Sequence, residues 1–346
     1  MPAHSEAKAQ SADAVLVALT TGGLGDAVLF SPVLRAGQRL DVPTYLLTAS
    51  PLTAAVYRTA PGLAGLSIVD ANHPFRPGPW LALLRFAARI RRCGRGRTIV
   101  LACASRMNPR LCRGIARACR AGKLLMEPTP SPEKTDLEVN AEIARSLHPD
   151  ASVDDAFVPA NPAAEKKVSE ILRAEQVGKY AVYYPSVPRP NRPRWALQRM
   201  ARVAAAIQRE FELTPVIVGG PSEADDWRRA LRQIPPDERP HGLVLAGRLT
   251  PAESAACIRR AALAVCNDGG LMHVAGATGR PLVAIMPNTP LFYTPPGRRT
   301  RVIRPHDLAC FPCHPHRPEN CQDPAQCIDR INAETVLAAA REVLAQ

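Results

Sequence analysis

Short apolar runs alternate with helix-length segments along nearly the whole chain, and no other feature restricts the fold as strongly. The apolar runs predict strands at residues 14–19, 42–47, 66–69, 98–102, 180–184, 215–218, 243–246, 263–266 and 281–285. The segments around them carry apolar residues at helical spacing and predict helices at residues 27–40, 54–59, 80–92, 109–121, 138–147, 163–175, 197–211, 223–233, 251–262, 271–278 and 332–344. Such alternation is typical of parallel sheets covered by helices, so the chain is predicted to be α/β.

The alternation is interrupted near the middle of the chain, and this predicts two domains. Residues 148–164 are polar, contain proline and lack periodicity, which is typical of a linker. A length of 346 residues is also sufficient for two domains. We therefore expect a flexible tail at residues 1–13, an N-terminal domain at 14–150 and a C-terminal domain at 165–346. Each is expected to be a Rossmann-like, doubly wound sheet, with a cleft between the two.

The composition argues against a membrane-spanning or secreted protein. Mean hydropathy is −0.10, and no apolar run approaches the roughly 20 residues that a transmembrane helix needs. The first residues, Met1–Asp13, are polar and lack the apolar region of a signal peptide. We therefore expect a cytoplasmic protein, in which the ten cysteines are free thiols or metal ligands rather than disulfides.

A net charge of +13 favours anionic partners such as nucleic acid, anionic lipid or phosphorylated substrates. Much of the charge lies in two arginine-rich segments, residues 85–97 and 106–123. These segments are either solvated helix faces or a surface for an anionic partner. Only 5% of the residues are aromatic, which argues against a protein that binds single-stranded nucleic acid by stacking.

Two turns between a strand and a helix are predicted to bind ligands, because ligands bind at the carboxyl ends of strands in α/β proteins. The first turn, Thr20–Asp26, is glycine-rich but lacks the third glycine of the dinucleotide fingerprint. Asp26 is either a general base or a helix cap. In the second turn, Asn267–Ala275, Asp268 either caps the helix or reaches sugar hydroxyls and charge that develops on a sugar. His273 is either a core residue or a contact to the ligand.

The motifs of the chain, taken in order, resemble those of the ADP-heptose:lipopolysaccharide heptosyltransferases of glycosyltransferase family nine. The resemblance covers nearly the whole chain, and its motifs are Gly22–Pro32, Val216–Glu223, Ala246–Glu253 and Asn267–Ala275, followed by Cys310, Cys313, Cys321 and Cys327. It implies the GT-B architecture of two Rossmann-like domains. It also implies an inverting transfer from a nucleotide-diphospho-sugar, with ADP-heptose as the first candidate, and no catalytic cofactor.

The resemblance implies roles for individual residues. Asp26 matches the general base that takes the proton of the acceptor hydroxyl. Asp268 matches the carboxylate at the donor sugar and diphosphate, and Glu223 matches an acidic residue that holds the ribose hydroxyls. The implied donor-binding set, in which Gly247 and Leu249 border the base, is Ser186, Arg192, Arg194, Gly219, Glu223, Gly247, Leu249, Asp268, Gly269, Gly270 and His273.

Two positions depart from the family pattern. The family has a lysine two residues before a tryptophan, where it neutralises the diphosphate, but Pro193 occupies that place before Trp195. Arg192 or Arg194 is expected to supply the charge instead. The family's Asp-Ser/Thr-Gly is here Asp-Gly-Gly at residues 268–270, which removes a hydroxyl from the phosphate site. These departures leave the identity of the donor open.

Four cysteines near the C-terminus have metal-like spacing within the cysteine-rich segment 306–327. They are Cys310, Cys313, Cys321 and Cys327. In the autotransporter-heptosylating branch of the family a similar pattern is an iron-binding finger. The sequence leaves open a structural iron or zinc ion, plain thiols and disulfides.

The leading hypothesis is therefore an inverting transferase that moves heptose to a hydroxyl of a lipopolysaccharide core or of a protein. The basic helices would face that acceptor, and a peripheral position at the inner membrane would follow. Two alternatives are a basic nucleic-acid-binding protein with a cysteine metal finger and a nucleotide-dependent Rossmann oxidoreductase. The long strand–helix alternation argues against the first, and the missing third glycine argues against the second.

Overall fold

The computed structural model describes residues 13–69, 77–127, 133–186, 194–287, 291–305, 327 and 329–346. The chain divides into two compact units, Met1–Pro159 and Ala160–Gln346. Each unit contains one parallel sheet with helices between successive strands. The α/β prediction with two parallel sheets is therefore confirmed.

The first unit is built around a strand that is buried along most of its length. Its strands are β1 (Ala14–Thr20), β2 (Thr44–Thr48), β3 (Leu63–Ile68), β4 (Thr98–Cys103) and β5 (Lys123–Leu125), in the order β3-β2-β1-β4-β5. Its helices are α1 (Leu24–Arg39), α2 (Pro51–Tyr57), α3 (Pro77–Cys93), α4 (Pro109–Cys119) and α5 (Asp136–Arg145). The unbroken apolar run of β1 is buried at residues 15–19, as expected for a central parallel strand covered on both faces.

In its described residues the second unit repeats the plan with six strands. They are β6 (Tyr180–Tyr184), β7 (Thr214–Ile217), β8 (Leu243–Val244), β9 (Leu263–Asn267), β10 (Leu282–Ile285) and β11 (Thr300–Ile303), in the order β11-β10-β9-β6-β7-β8. The helices are α6 (Pro162–Ala174), α7 (Leu197–Phe211), α8 (Pro221–Arg232), α9 (Pro251–Arg260), α10 (Gly270–Ala277) and α11 (Ala333–Ala345).

Two tryptophans with almost no exposed surface fill the core of the second unit, Trp195 and Trp227. The indole Nε1 of Trp195 donates to the Ile331 carbonyl at 2.8 Å, so the buried polar atom is satisfied. This bond ties the segment before α11 to the start of α7. None of the helices in the described part of the chain is long and apolar enough to cross a membrane.

The sequence does not predict β5 or β11, and both are edge strands. β5 begins with a lysine and β11 contains an arginine, and both strands are only partly buried, so neither gives the unbroken apolar run that predicts a buried strand. Each forms by parallel pairing with a buried neighbour, β5 with β4 and β11 with β10. Backbone pairing across the sheet, rather than local preference, therefore determines these two strands.

Part of the segment expected to be a linker packs on the first unit. The Tyr57 hydroxyl donates to the Phe157 carbonyl at 2.7 Å, and the Arg39 guanidinium donates to Asp155 Oδ2 at 2.8 Å. Phe157 is 7% exposed. The polar, aperiodic sequence of residues 150–159 does not predict these contacts. An ion pair and one buried ring hold this segment on the first unit without regular secondary structure.

Candidate functional site

Both predicted ligand-binding turns lie where the strand order of a sheet changes direction. In the first unit β1 lies between β2 and β4, so the turn after β1 adjoins the segment after β4. In the second unit β9 pairs with β6, so the turn after β9 adjoins the segment after β6. Open α/β sheets bind ligands outside the carboxyl ends of the strands at such points.

The Asp26 carboxylate is held by the backbone at the start of its own helix. Its Oδ2 accepts a hydrogen bond from the Gly23 N–H at 2.7 Å. A Cβ on Gly22 would lie 2.4 Å from the Asp26 carboxyl carbon, so this rotamer requires glycine at that position. No described residue donates a hydrogen bond to Oδ1. One carboxylate oxygen is therefore fixed while the other is available, an arrangement that suits both a cap and a general base.

An ion pair with a buried carboxylate, which the sequence did not reveal, lies near Asp26. Arg106 follows β4 with a φ of 58°, and its Nε donates to Asp136 Oδ1 at 2.6 Å. Asp136 is 4% exposed. Burial raises its pKa against the opposing effect of Arg106, and the charge of Asp26 adds to the increase. The capping box of Thr135 and Glu138 is a sequence signal that could have located the helix start at Asp136.

In the second unit, two hydroxyl groups and the backbone form the turn after β9. The Ser186 hydroxyl donates to the Asp268 carbonyl at 2.5 Å. The Tyr184 hydroxyl hydrogen-bonds with Ser186, and burial raises the pKa of Tyr184 to about 12. A Cβ on Gly269 would lie 2.7 Å from the Tyr184 ring and 3.0 Å from Ser186 Oγ. The turn therefore requires Gly269, because the Tyr184 and Ser186 side chains already occupy the space that a Cβ would take.

The helix cap at this turn is Gly269 rather than Asp268. Asp268 precedes the cap position, and Gly270 is the first residue of α10. Glycine has no side chain with which to bond the first N–H groups of the helix. An anion at this position would meet those groups and the positive end of the helix dipole.

A fully buried asparagine holds the turn against the loop before α7. Asn267 Oδ1 accepts from the Trp195 N–H at 3.2 Å, and its Nδ2 donates to the Pro185 carbonyl at 2.9 Å. Asn267 is 0% exposed. Its amide thus satisfies backbone groups on a second segment, as buried polar side chains must. The position of the turn is consequently coupled to the packing of Trp195.

Arg194, which was predicted to bind the diphosphate, already has two strong partners. Its Nη1 donates to the Ser186 carbonyl at 2.7 Å and pairs with Asp226 at 2.7 Å. Burial acts to raise the pKa of Asp226, but hydrogen bonds from Arg194 and Arg229 outweigh it and leave that pKa lowered. The pair is therefore ionised and holds the loop after β6. Arg192 lies outside the described residues.

Glu223 resembles Asp26 in its structural role. It is 5% exposed, and its Oε2 accepts from the Gly220 N–H at 3.1 Å, so it caps α8. Gly219 and Gly247 have φ angles of 138° and 76°, which favour glycine. A Cβ on Gly247 would also lie 3.0 Å from the backbone at the start of α8. The glycines expected at the donor are thus needed by the backbone itself.

The remaining predicted residues divide into described and undescribed positions. His273 is 4% exposed on α10, and Leu249 is half-buried. Cys327 is 3% exposed, whereas the other three cysteines of the proposed metal set, Cys310, Cys313 and Cys321, lie outside the described residues. Within the described part of the chain no group of three or more side chains could hold a metal ion.

Arg304 is a further residue at this edge of the sheet that the sequence did not single out. It directly follows β11, and its Nη2 donates to Thr294 Oγ1 at 2.9 Å. Burial lowers its pKa, and the charge of Asp268 opposes that shift. The sequence did not place Arg304 at the carboxyl end of a strand, because β11 itself was not predicted.

Comparison with known sequences identifies the relatives of the chain. The model of glycosyltransferase family 9 (heptosyltransferase) matches residues 131–321, which is more than half of the chain. Lipooligosaccharide heptosyltransferase 2 of Haemophilus influenzae is 37% identical over 82 residues, or 23% of this chain and 24% of that protein. The match spans about a quarter of the length of this curated relative.

Solved structures show the same fold over almost the full length. A family 9 glycosyl transferase from Veillonella parvula aligns with a TM-score of 0.79 and 19% identity, covering 96% of this chain and 97% of the other. The ADP-heptose lps heptosyltransferase II of E. coli aligns with a TM-score of 0.70 and 16% identity, covering 96% and 98%. The fold implied by the sequence motifs is therefore confirmed.

Proposed function

The chain belongs to glycosyltransferase family 9, the heptosyltransferase family, and we propose that it transfers heptose from ADP-heptose to a hydroxyl acceptor with inversion. The observation that carries this proposal is the turn at Asp268. There the helix cap is Gly269, which has no side chain to bond the first N–H groups of α10 and so leaves a surface of backbone donors. A surface of this kind suits a diphosphate. The E. coli structural relative is named as an ADP-heptose heptosyltransferase, which supports ADP as the nucleotide of the donor.

In this proposal the two units have separate chemical tasks. Asp26 in the first unit takes the proton of the acceptor hydroxyl as its oxygen forms a bond to the anomeric carbon. The bond between that carbon and the diphosphate oxygen breaks, and ADP leaves with the electron pair. The second unit binds the donor, and the N–H groups at the start of α10 stabilise the negative charge that grows on the leaving diphosphate. Glu223 and His273 belong to the proposed donor-binding set.

The acceptor that we propose is an anionic glycolipid core or a protein hydroxyl. The arginines of α3, α4 and the adjoining segments are exposed to solvent, namely Arg85, Arg89, Arg91, Arg92, Arg95, Arg97, Arg110, Arg113, Arg117 and Arg120. Exposed guanidinium groups attract phosphates and an anionic membrane surface. We therefore place the enzyme at the cytoplasmic face of the inner membrane while it acts on a glycolipid.

Thermal stabilisation by nucleotides tests the proposed donor. The purified protein is melted with ADP, UDP, GDP, CDP or NAD, since a ligand that binds only the folded state raises the melting temperature. At a concentration 100 times the dissociation constant, ADP is expected to stabilise the protein by about 2.7 kcal/mol. A shift with UDP or GDP alone would overturn the ADP donor and keep the transferase. A shift with NAD and none with ADP would favour an oxidoreductase.

We also propose that Cys310, Cys313, Cys321 and Cys327 hold a structural iron or zinc ion. Four thiolates form a donor set that both metals accept, and Cys327 is 3% exposed, as a ligand of a closed site would be. Such an ion would link the four cysteines and would not take part in the transfer.

Metal analysis of the purified protein is expected to find about one equivalent of iron or zinc, as a four-thiolate site binds a single ion. The Cys310→Ser/Cys313→Ser double variant is expected to lose it. Cys93→Ser, which changes an exposed thiol of the first unit, serves as the control and is expected to retain it. Protein without bound metal in the wild type would indicate plain thiols or disulfides.

A further inference from the structure

Arg304 and Asp268 lie at the same carboxyl edge of the second sheet, each directly after its strand. In the last rung of the sheet, Ile285 pairs with Asn267 on one side and with Ile303 on the other. The residues that follow in each strand are Asp268, Met286 and Arg304. Neighbouring strands lie about 4.8 Å apart, so Asp268 and Arg304 are separated by roughly 10 Å of backbone. An arginine side chain is long enough to cover most of that distance.

The Arg304 guanidinium is partly buried and only partly satisfied. Its Nη2 donates to Thr294 Oγ1 at 2.9 Å and approaches Met286 Sδ at 3.6 Å. Its Nε is buried and has no hydrogen-bond partner among the described residues. A buried guanidinium normally has an anion and a full set of acceptors, because removing charge from water is costly. One hydroxyl and one thioether do not meet that requirement.

Burial lowers the pKa of Arg304, and the negative charge of Asp268 opposes that shift. The Asp268 carboxylate therefore acts electrostatically on the guanidinium. The carboxylate of Asp268, just before the start of α10, would repel a diphosphate. A guanidinium beside it cancels that repulsion and offers planar N–H groups that match phosphate oxygens. Among the described residues Arg304 is a candidate for this cation, because Pro193 stands where the family has its lysine and Arg194 is engaged by Asp226.

We propose that Arg304 binds the diphosphate of the donor and so replaces the missing lysine as its counter-charge. The inference rests on the proposed function, because it assigns one residue of the proposed donor site. The ligand chemistry is a nucleoside diphosphate, and the β-phosphate is the group that Arg304 contacts.

The test compares ADP, AMP and adenosine as ligands of the full-length protein by calorimetry. Arg304→Gln is expected to weaken ADP binding roughly 10- to 100-fold, the usual effect of losing a hydrogen bond to a charged group. Adenosine binding is expected to be unchanged, and AMP binding is expected to change much less than ADP binding. Arg304→Lys keeps the charge and loses the planar fork, so its ADP affinity is expected to lie between those of the wild type and Arg304→Gln.

Two control variants separate phosphate binding from a structural role. Arg301→Gln removes an exposed arginine of the same strand, which pairs with Glu342 at 3.0 Å, and is expected to bind ADP like the wild type. Thr294→Val removes the hydroxyl partner of Arg304 and keeps the guanidinium, so it is also expected to retain ADP binding. If Arg304 only anchored the loop at Thr294, Thr294→Val and Arg304→Gln would weaken ADP equally.

The outcomes distinguish this inference from the proposed function. Equal losses for ADP, AMP and adenosine in Arg304→Gln and Arg304→Lys would overturn diphosphate binding and leave a structural arginine. Unchanged ADP affinity in Arg304→Gln, with a wild type that binds ADP, would overturn this inference alone. A wild type that binds no nucleoside diphosphate would overturn both proposals.

Discussion

Replacement of Asp26 by asparagine is expected to slow sugar transfer by about 10²- to 10⁴-fold, the usual contribution of a positioned general base. Asparagine has nearly the same shape, and its side-chain oxygen can still accept the Gly23 N–H that now bonds Oδ2. The start of α1 is therefore preserved, while the oxygen that takes the acceptor proton is no longer basic. ADP affinity is expected to be unchanged, because we assign donor binding to the second unit. Single-turnover transfer and calorimetric ADP titration measure the two quantities separately.

Two further variants separate the chemical role of Asp26 from its role as a cap. Asp26→Ala loses both functions and is expected to melt earlier, with a loss of about 1 kcal/mol for the cap. Glu138→Gln alters a carboxylate in the same helical position of α5, where it accepts the Thr135 N–H at 2.7 Å. This variant is expected to keep transfer activity. Transfer at the wild-type rate by Asp26→Asn would exclude Asp26 as the base.

Replacement of Gly269 by alanine is expected to abolish most donor binding and to destabilise the second unit. The new methyl group would lie 2.7 Å from the Tyr184 ring and 3.0 Å from Ser186 Oγ. The ring and the turn must then separate, and overpacking of this kind typically costs about 1–3 kcal/mol. The same movement displaces the N–H groups that we assign to the diphosphate. Denaturant unfolding measures the stability, and ADP titration of the folded variant measures the binding.

Gly178→Ala is the matched control for this substitution. Gly178 lies in the same unit, and an added Cβ there would have no neighbour within 4 Å. Its stability is expected to stay within about 0.5 kcal/mol of the wild type, as for other surface substitutions, and its ADP affinity is expected to be unchanged. If Gly269→Ala bound ADP as well as Gly178→Ala does, the turn would not be the phosphate site.

The sequence predicted the fold well because the buried parallel strands carry their own signal. The strand expected at residues 14–19 is β1, Ala14–Thr20, and the helix expected at residues 197–211 is α7, Leu197–Phe211. Runs of β-branched and aliphatic residues are buried on both faces, so composition alone reveals them. β11 was not predicted, because it forms by pairing with β10 across the sheet and the local sequence does not indicate that pairing.

The candidate site was predicted less completely, for two physical reasons. First, the sequence singled out Asp26 and Glu223 but did not show that each accepts the N–H of a glycine at the helix cap, because the usual capping signature begins with serine or threonine. Second, Arg106 lies three residues after β4 and Arg304 directly follows β11. Their partners come from other segments of the chain. The sequence showed an abundance of arginine, but only the three-dimensional structure shows that Arg106 bonds Asp136 and that Arg304 bonds Thr294.

The hydrogen bond between Gly23 and Asp26 has a consequence for laboratory evolution of the chain. Selection for soluble, well-folded variants would preserve any residue that can accept the Gly23 N–H at that position. Asparagine meets this requirement, so such a selection would accumulate folded proteins that have lost their proposed base. Libraries built from this scaffold must therefore be screened for product formation, since yield and melting temperature do not report on this position.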